Sequence, residues 1–178
     1  MNIVYLIGFM GSGKSTAGKK LANRLGYQFS DLDEYIEEKE KKSISEIFET
    51  EKEEGFRLLE KKYLRKLKPE KETVISTGGG APCFYENIDF MNQTGLTIYL
   101  KMNVNQLLFR LTQKEQNRPL LKGKSKEQMK LSIEQLLKNR ESYYEKAKWI
   151  VNGFNIDIPS LAKDVSNYFK KSGEITKR

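Results

Sequence analysis

Apolar and polar positions along the chain fall into two alternating patterns. Short strand-like segments lie at residues 3–7, 27–30, 73–76, 96–100 and 149–151, and those at 3–7 and 96–100 are mostly apolar, as befits strands buried on both faces of a parallel sheet. Between the segments, apolar residues recur at helical spacing. Residues 14–25 bring Ala17, Leu21, Ala22 and Leu25 to one face and stop at Gly26. Residues 34–68 are rich in Glu and Lys and read as helix in pieces. The pieces are 34–41, a second opened by the capping box of Ser43 and Glu46, and 56–67, with a break at Gly55 and a stop at Pro69. Further helices are predicted over 86–93, 103–111, 125–148 (Ser125 and Gln128 form a second capping box) and 160–169. A polar, Lys-rich loop fills 112–124, and 170–178 reads as a solvated tail. Strand alternating with helix predicts an α/β fold, a three-layer sandwich around a five-stranded, mostly parallel sheet, in one domain over 1–178.

Composition narrows the chemistry. The 178 residues are 38% hydrophobic and 31% charged, in keeping with a soluble globular domain. No apolar run approaches the roughly 20 residues that span a bilayer, so a cytoplasmic protein without a membrane partner is expected. The chain has no histidine and one cysteine. That excludes a Ser-His-Asp triad, a Cys-His pair, a His-ligated metal and an imidazole base. Proton transfer falls to a carboxylate, lysine, tyrosine or water, and Cys83 is read as a packing residue.

The net charge of +8 raises the alternative of a nucleotide-dependent RNA or DNA binder. The excess is local, however: residues 101–150 carry 12 basic and 5 acidic side chains, while 51–100 carry 8 of each. One electropositive element, with no second nucleic-acid motif beside it, argues against nucleic acid as a partner.

Gly8-Phe9-Met10-Gly11-Ser12-Gly13-Lys14-Ser15 follows a predicted strand and precedes a predicted helix. That context fits a P-loop, whose backbone N–H groups and helix N-terminus cradle phosphates. Lys14 would neutralise the β- and γ-phosphates and the Ser15 hydroxyl would ligate Mg²⁺. Asp31 and Asp33 stand at the carboxyl end of the next strand, the edge where open α/β sheets bind ligands. Capping of the following helix is the competing role for Asp33. Gly78-Gly79-Gly80 presents backbone donors with no Cβ in the way.

Taken jointly, Gly8 to Thr16, Asp31-Leu32-Asp33, Phe56-Arg57 with Glu60, Thr77-Gly78-Gly79-Gly80-Ala81, Arg118-Pro119-Leu120-Leu121 and Arg140 before Tyr143-Tyr144 resemble shikimate kinases in order and spacing. The resemblance covers roughly residues 1–150. It implies a P-loop kinase fold with a mobile lid over 112–124 and an acceptor-binding helical region over 32–67. The implied activity is transfer of the ATP γ-phosphoryl to the 3-hydroxyl of shikimate in the chorismate route to aromatic amino acids, with Mg²⁺ as cofactor and a monomer as the working unit.

The same resemblance assigns roles. Gly11, Ser12, Gly13, Lys14, Ser15 and Thr16 would hold the phosphates, and Asp31 the Mg²⁺ shell. Asp33 would bind the acceptor hydroxyls and serve as base. Arg57 and Arg140 would grip the carboxylate, whose geometry a guanidinium fork matches. Gly79 and Gly80 would add donors, and Phe48 and Phe56 an apolar wall. Arg118 would reach the transferring phosphate from the lid, and Arg110 would stack on adenine. At residues 151–159 the chain departs from the family pattern, where some relatives present an arginine or threonine; Asn155 is the expected substitute. On the residues alone, Arg57 is equally a helix-surface partner of Glu60, and Arg110 and Arg140 are equally solvated arginines. Another P-loop kinase, acting on gluconate or a nucleoside monophosphate, stays open as well.

Overall fold

The computed structural model describes residues 1–67, 69–113 and 125–175, with side chains through residue 171. Five strands, β1 (Ile3–Ile7), β2 (Gln28–Asp31), β3 (Thr73–Ser76), β4 (Leu96–Lys101) and β5 (Trp149–Asn152), form one sheet in the order β2-β3-β1-β4-β5. Every pairing is parallel, so the sheet is parallel throughout. The helices are α1 (Lys14–Leu25), α2 (Leu32–Glu40), α3 (Ile44–Lys66), α4 (Asn87–Thr94), α5 (Val104–Gln113), α6 (Lys126–Tyr144) and α7 (Ile158–Ile175).

Strand periodicity divides the core. Val4 and Leu6 of β1 join Leu21 of α1 and Val165 of α7 on one face, while Tyr5 and Ile7 join residues of α3 to α6 on the other. Central strands β1, β3 and β4 are almost wholly buried and β2 and β5 are half exposed edges. Each fully buried Leu or Ile contributes about 2 kcal/mol relative to exposure.

Several helix limits differ from the sequence expectation, each for a local reason. The break in α3 falls at Lys52, with φ 62 and ψ −174, and not at Gly55. Gly55 serves the kink by close approach instead, since a Cβ there would fall 2.5 Å from the Glu51 Cβ. Helix α2 starts at Leu32 because Asp31 takes the capping role, accepting the Asp33 N–H at 3.1 Å. Helix α6 stops at Tyr144, short of residue 148, where the Lys148 N–H turns to the Thr97 hydroxyl at 2.8 Å and leads into β5. Helix α7 runs to Ile175, so residues 170–175 are helical where a tail was expected. A 3-10 turn at Ala81–Cys83, which the sequence reading missed, follows the triple glycine.

Candidate active site

Parallel pairing fixes where the site lies. Ser76 is in register with both Leu6 and Asp31, so β1, β2 and β3 end together and the loops that follow them share one edge. A cleft of about 740 Å³ opens there.

Its floor is the P-loop between β1 and α1. Gly13 adopts φ +88, and a Cβ on it would fall 2.6 Å from Arg110 Nη1, so a glycine is needed on both counts. The Lys14 ammonium is buried and donates to the carbonyls of Gly8 at 2.9 Å and Phe9 at 3.0 Å. Gly11, Gly13, Lys14, Ser15 and Thr16 line the cleft. Ser12 is fully buried: its N–H donates to the Phe9 carbonyl and its own carbonyl accepts from Arg110 at 2.9 Å. It shapes the loop from behind.

Beside the floor, the Ser15 hydroxyl donates to Asp31 Oδ2 at 2.6 Å and lies 3.4 Å from the Ser76 hydroxyl. Asp31 thus caps α2 with one oxygen and meets the P-loop with the other. No group of three or more Cys, Asp or Glu side chains able to hold a metal occurs among the described residues. A hydroxyl and one carboxylate at the phosphate floor still suit Mg²⁺, which keeps waters and substrate phosphates in its shell and does not require a protein cage.

The opposite wall is assembled from distant segments. Arg57 of α3 is 4% exposed. Its Nε and Nη2 donate to Glu53 Oε1 at 3.3 and 2.8 Å, and its Nη1 donates to Glu60 Oε2 at 2.6 Å. Three of the five guanidinium N–H groups are thereby engaged, and one on each terminal nitrogen remains. The plane lies over the rings of Phe84 at 4.8 Å and Phe56 at 5.2 Å, and a Cβ on Gly80 would fall 2.5 Å from it. Gly78 is equally confined: its Cβ would lie 2.5 Å from Glu60 Oε1 and 2.8 Å from Asp33 Oδ1. The two carboxylates therefore converge over the triple glycine. Burial, with Asp33 adding negative charge nearby, pushes the Glu60 carboxyl up to about 7 against the pull of Arg57. Oε1 of Glu60 has no hydrogen-bond partner among the described residues.

Arg140 of α6, 6% exposed, lies over the Phe9 ring at 5.9 Å. The Phe48 and Phe56 rings sit 4.7 Å apart. Of the residues expected around the acceptor, Asp33 and Gly79 line the cleft, together with Gly78, whereas Phe48, Phe56, Arg57, Gly80 and Arg140 do not.

At the far end Arg110 acts as a fastener. Its Nη1 donates to the Ser12 carbonyl, and its Nη2 to the carbonyls of Gly153 at 3.2 Å and Phe154 at 2.9 Å. Phe109, Phe154 and Ile156 line this end. Asn155 is exposed and absent from the lining, because alternate residues of the segment face the cleft. Cys83 is half-buried, and burial pushes its thiol up to about 11, as suits packing better than nucleophilic chemistry.

Residues 10–172 match the family model for shikimate kinase. The chain belongs to the shikimate kinase family. A shikimate kinase from Parabacteroides distasonis is 42% identical over 96% of this chain and 99% of its own length. The crystal structure of a shikimate kinase from Bacteroides thetaiotaomicron superimposes with a TM-score of 0.87 at 39% identity, covering 95% of this chain and 98% of that one. A shikimate kinase from Acinetobacter baumannii, solved in complex with shikimate, gives 0.83 at 36% identity, covering 97% and 94%.

Within this shikimate kinase fold, Lys14, Ser15, Asp31, Asp33, Gly78 and Gly79 meet in the cleft at one edge of the sheet, while Gly80 and Arg57 pack on each other outside its lining. Arg118 and residues 114–124 of the expected lid lie outside the described residues, and Thr112 and Gln113 belong to α5. Sequence reasoning missed Glu53, Ser76, Phe84 and Phe154. Spacing could have found Glu53, one helical turn before Arg57; Ser76 ends β3, where its meeting with Ser15 depends on the sheet order, and Phe84 and Phe154 depend on loop geometry that periodicity does not encode. No helix among the described residues is long and apolar enough to cross a membrane.

Proposed function

We propose that this kinase transfers the γ-phosphoryl group of ATP to the 3-hydroxyl of shikimate, giving shikimate 3-phosphate and ADP. One observation carries the reading beyond family membership. Arg57 is held by Glu53 and Glu60, with one N–H left on each terminal nitrogen among the described residues, and it packs on Gly80, next in sequence to the Gly78 and Gly79 that line the cleft with Asp33. A fixed guanidinium fork suits a carboxylate, and a neighbouring carboxylate suits hydroxyls.

In the reaction, the 3-hydroxyl oxygen forms a bond to the γ-phosphorus as the bond to the β,γ-bridging oxygen breaks and ADP departs. Asp33 orients that hydroxyl and accepts its proton. The transition state is loose, so little is asked of the base and much of positioning and charge. Lys14 and the N–H groups of Gly11 and Gly13 take up negative charge on the phosphates, with Thr16 beside them. Ser15 and Asp31 would hold Mg²⁺, which would supply positive charge against the phosphates. Arg57, Arg140 and the backbone at Gly79 and Gly80 receive the acceptor's carboxylate, with Phe56 and Phe48 packed behind. Arg118, outside the described residues, keeps the role that the family resemblance implies, neutralising charge on the transferring phosphate. The base of ATP lies between Arg110 with Phe109 and the wall of Phe154. Every group named comes from one chain, so a monomer suffices, and a cytoplasmic location agrees with the substrates.

Purified protein given ATP and Mg²⁺ should release ADP only when shikimate is added. Shikimate-independent release, or release with gluconate or a nucleoside monophosphate in its place, would contradict the reading.

A further inference from the structure

Tyr144 closes α6 one helical turn after Arg140 and is fully buried. Its ring packs on Tyr99, centroids 5.0 Å apart, which accounts for the ring and leaves the hydroxyl to be explained. That hydroxyl donates to the Gly79 carbonyl at 2.5 Å, across 65 residues of sequence. A phenol has one proton to donate, and here it goes to the peptide between Gly79 and Gly80.

The geometry makes the link consequential. A trans peptide is planar, and its C=O and N–H point in opposite directions. Holding the Gly79 carbonyl on Tyr144 therefore aims the Gly80 N–H away from α6. On its other side Gly79 faces the P-loop backbone, where a Cβ would fall 3.0 Å from the Met10 nitrogen. Gly80 in turn lies flat against Arg57. Burial raises the Tyr144 phenol well above its ordinary value, so the proton it donates stays in place across the working range of pH.

We propose that Tyr144 is a positioning residue for the acceptor's carboxylate, its hydroxyl setting the orientation of the Gly79–Gly80 peptide. It touches neither substrate and acts through groups that do. This inference rests on the acceptor-site reading above and adds a group that the reading does not use.

The test is Tyr144→Phe, which removes the oxygen and keeps the ring on Tyr99. Shikimate KM should rise about tenfold, the size expected when a buried hydrogen bond beside a charged group is lost. kcat should change less than about twofold, and ATP KM should hold, since the P-loop does not depend on the hydroxyl. The rise in thermal midpoint that saturating shikimate gives should shrink in the variant, while the rise that ATP gives should not. An unchanged shikimate KM would overturn the inference. So would a fall in unliganded thermal midpoint with both KM values moved together, the mark of a merely structural hydroxyl. Failure of the acceptor reading is distinct, because the wild-type protein itself would then show no shikimate-dependent ADP.

Discussion

The two walls of the cleft solve their binding problems in different ways. The phosphate floor of the nucleotide wall is a single run, Gly8 to Thr16, whose chemistry lies in backbone N–H groups, one ammonium and one hydroxyl; Arg110 ties it to the far end at Gly153 and Phe154. The acceptor wall draws on α3, the triple glycine, α2 and α6, and its chemistry lies in charged side chains held by other charged side chains. Phosphate recognition tolerates a generic cradle because any phosphate offers similar oxygens. On the proposed function, recognition of one carboxylated triol needs a guanidinium at a fixed angle, a demand that the two-sided grip on Arg57 would meet.

The comparison can be broken at either wall. Removing the charge that faces the transferring group should have the largest effect: Lys14→Ala and Asp33→Asn are each expected to lower kcat about 10³-fold, with far-UV circular dichroism unchanged. If either retained more than a tenth of wild-type turnover, its placement at the reacting atoms would be wrong.

A smaller effect concerns the buried carboxylate behind Arg57. Glu60 titrates near 7 when folded against an ordinary value of 4.5. The folded state thus holds a proton that the unfolded chain loses between those values, and this contribution to stability is present at low pH and lost as pH rises through 7. Glu60→Gln stays neutral and should remove that part of the slope. Thermal midpoints of the two proteins between about pH 5 and about pH 8 check it; superimposable pH profiles would count against the burial argument.

The smallest expected effect lies at the far end of the nucleotide wall. Arg110→Ala frees the carbonyls of Ser12, Gly153 and Phe154 and should raise ATP KM by about tenfold or less, leaving shikimate KM alone. Movement of both constants would show that the walls are not independent.

The same contrast explains what could be read from the chain. All five strands and the P-loop are local patterns, and the sheet they build is the expected one. Asp31 and Asp33 were identified together, but their division of labour depended on where α2 begins, and periodicity in a Glu- and Lys-rich segment does not fix a first turn to one residue. The α3 break was assigned to Gly55 on composition, whereas the left-handed residue is Lys52, whose ammonium recovers the Glu49 carbonyl at 3.0 Å. On the acceptor wall, spacing alone leaves Arg57 as one more helix-surface arginine. Family resemblance singled it out; its acidic partners Glu53 and Glu60 are local in sequence, whereas the glycine backbone pressed to its face comes from another segment and exists only in three dimensions. Tyr144 is the extreme case, since nothing near it in sequence points to Gly79.

Arg57→Ala would leave Glu60 buried without its partner, a defect that costs about 3 kcal/mol or more and confuses binding with folding. Arg57→Lys keeps the positive charge and loses the planar fork. The most direct test of the acceptor wall is therefore the steady-state kinetics of Arg57→Lys with both substrates varied. The account predicts a shikimate KM raised at least about tenfold, with ATP KM and kcat within about threefold of wild type; an unchanged shikimate KM would contradict it.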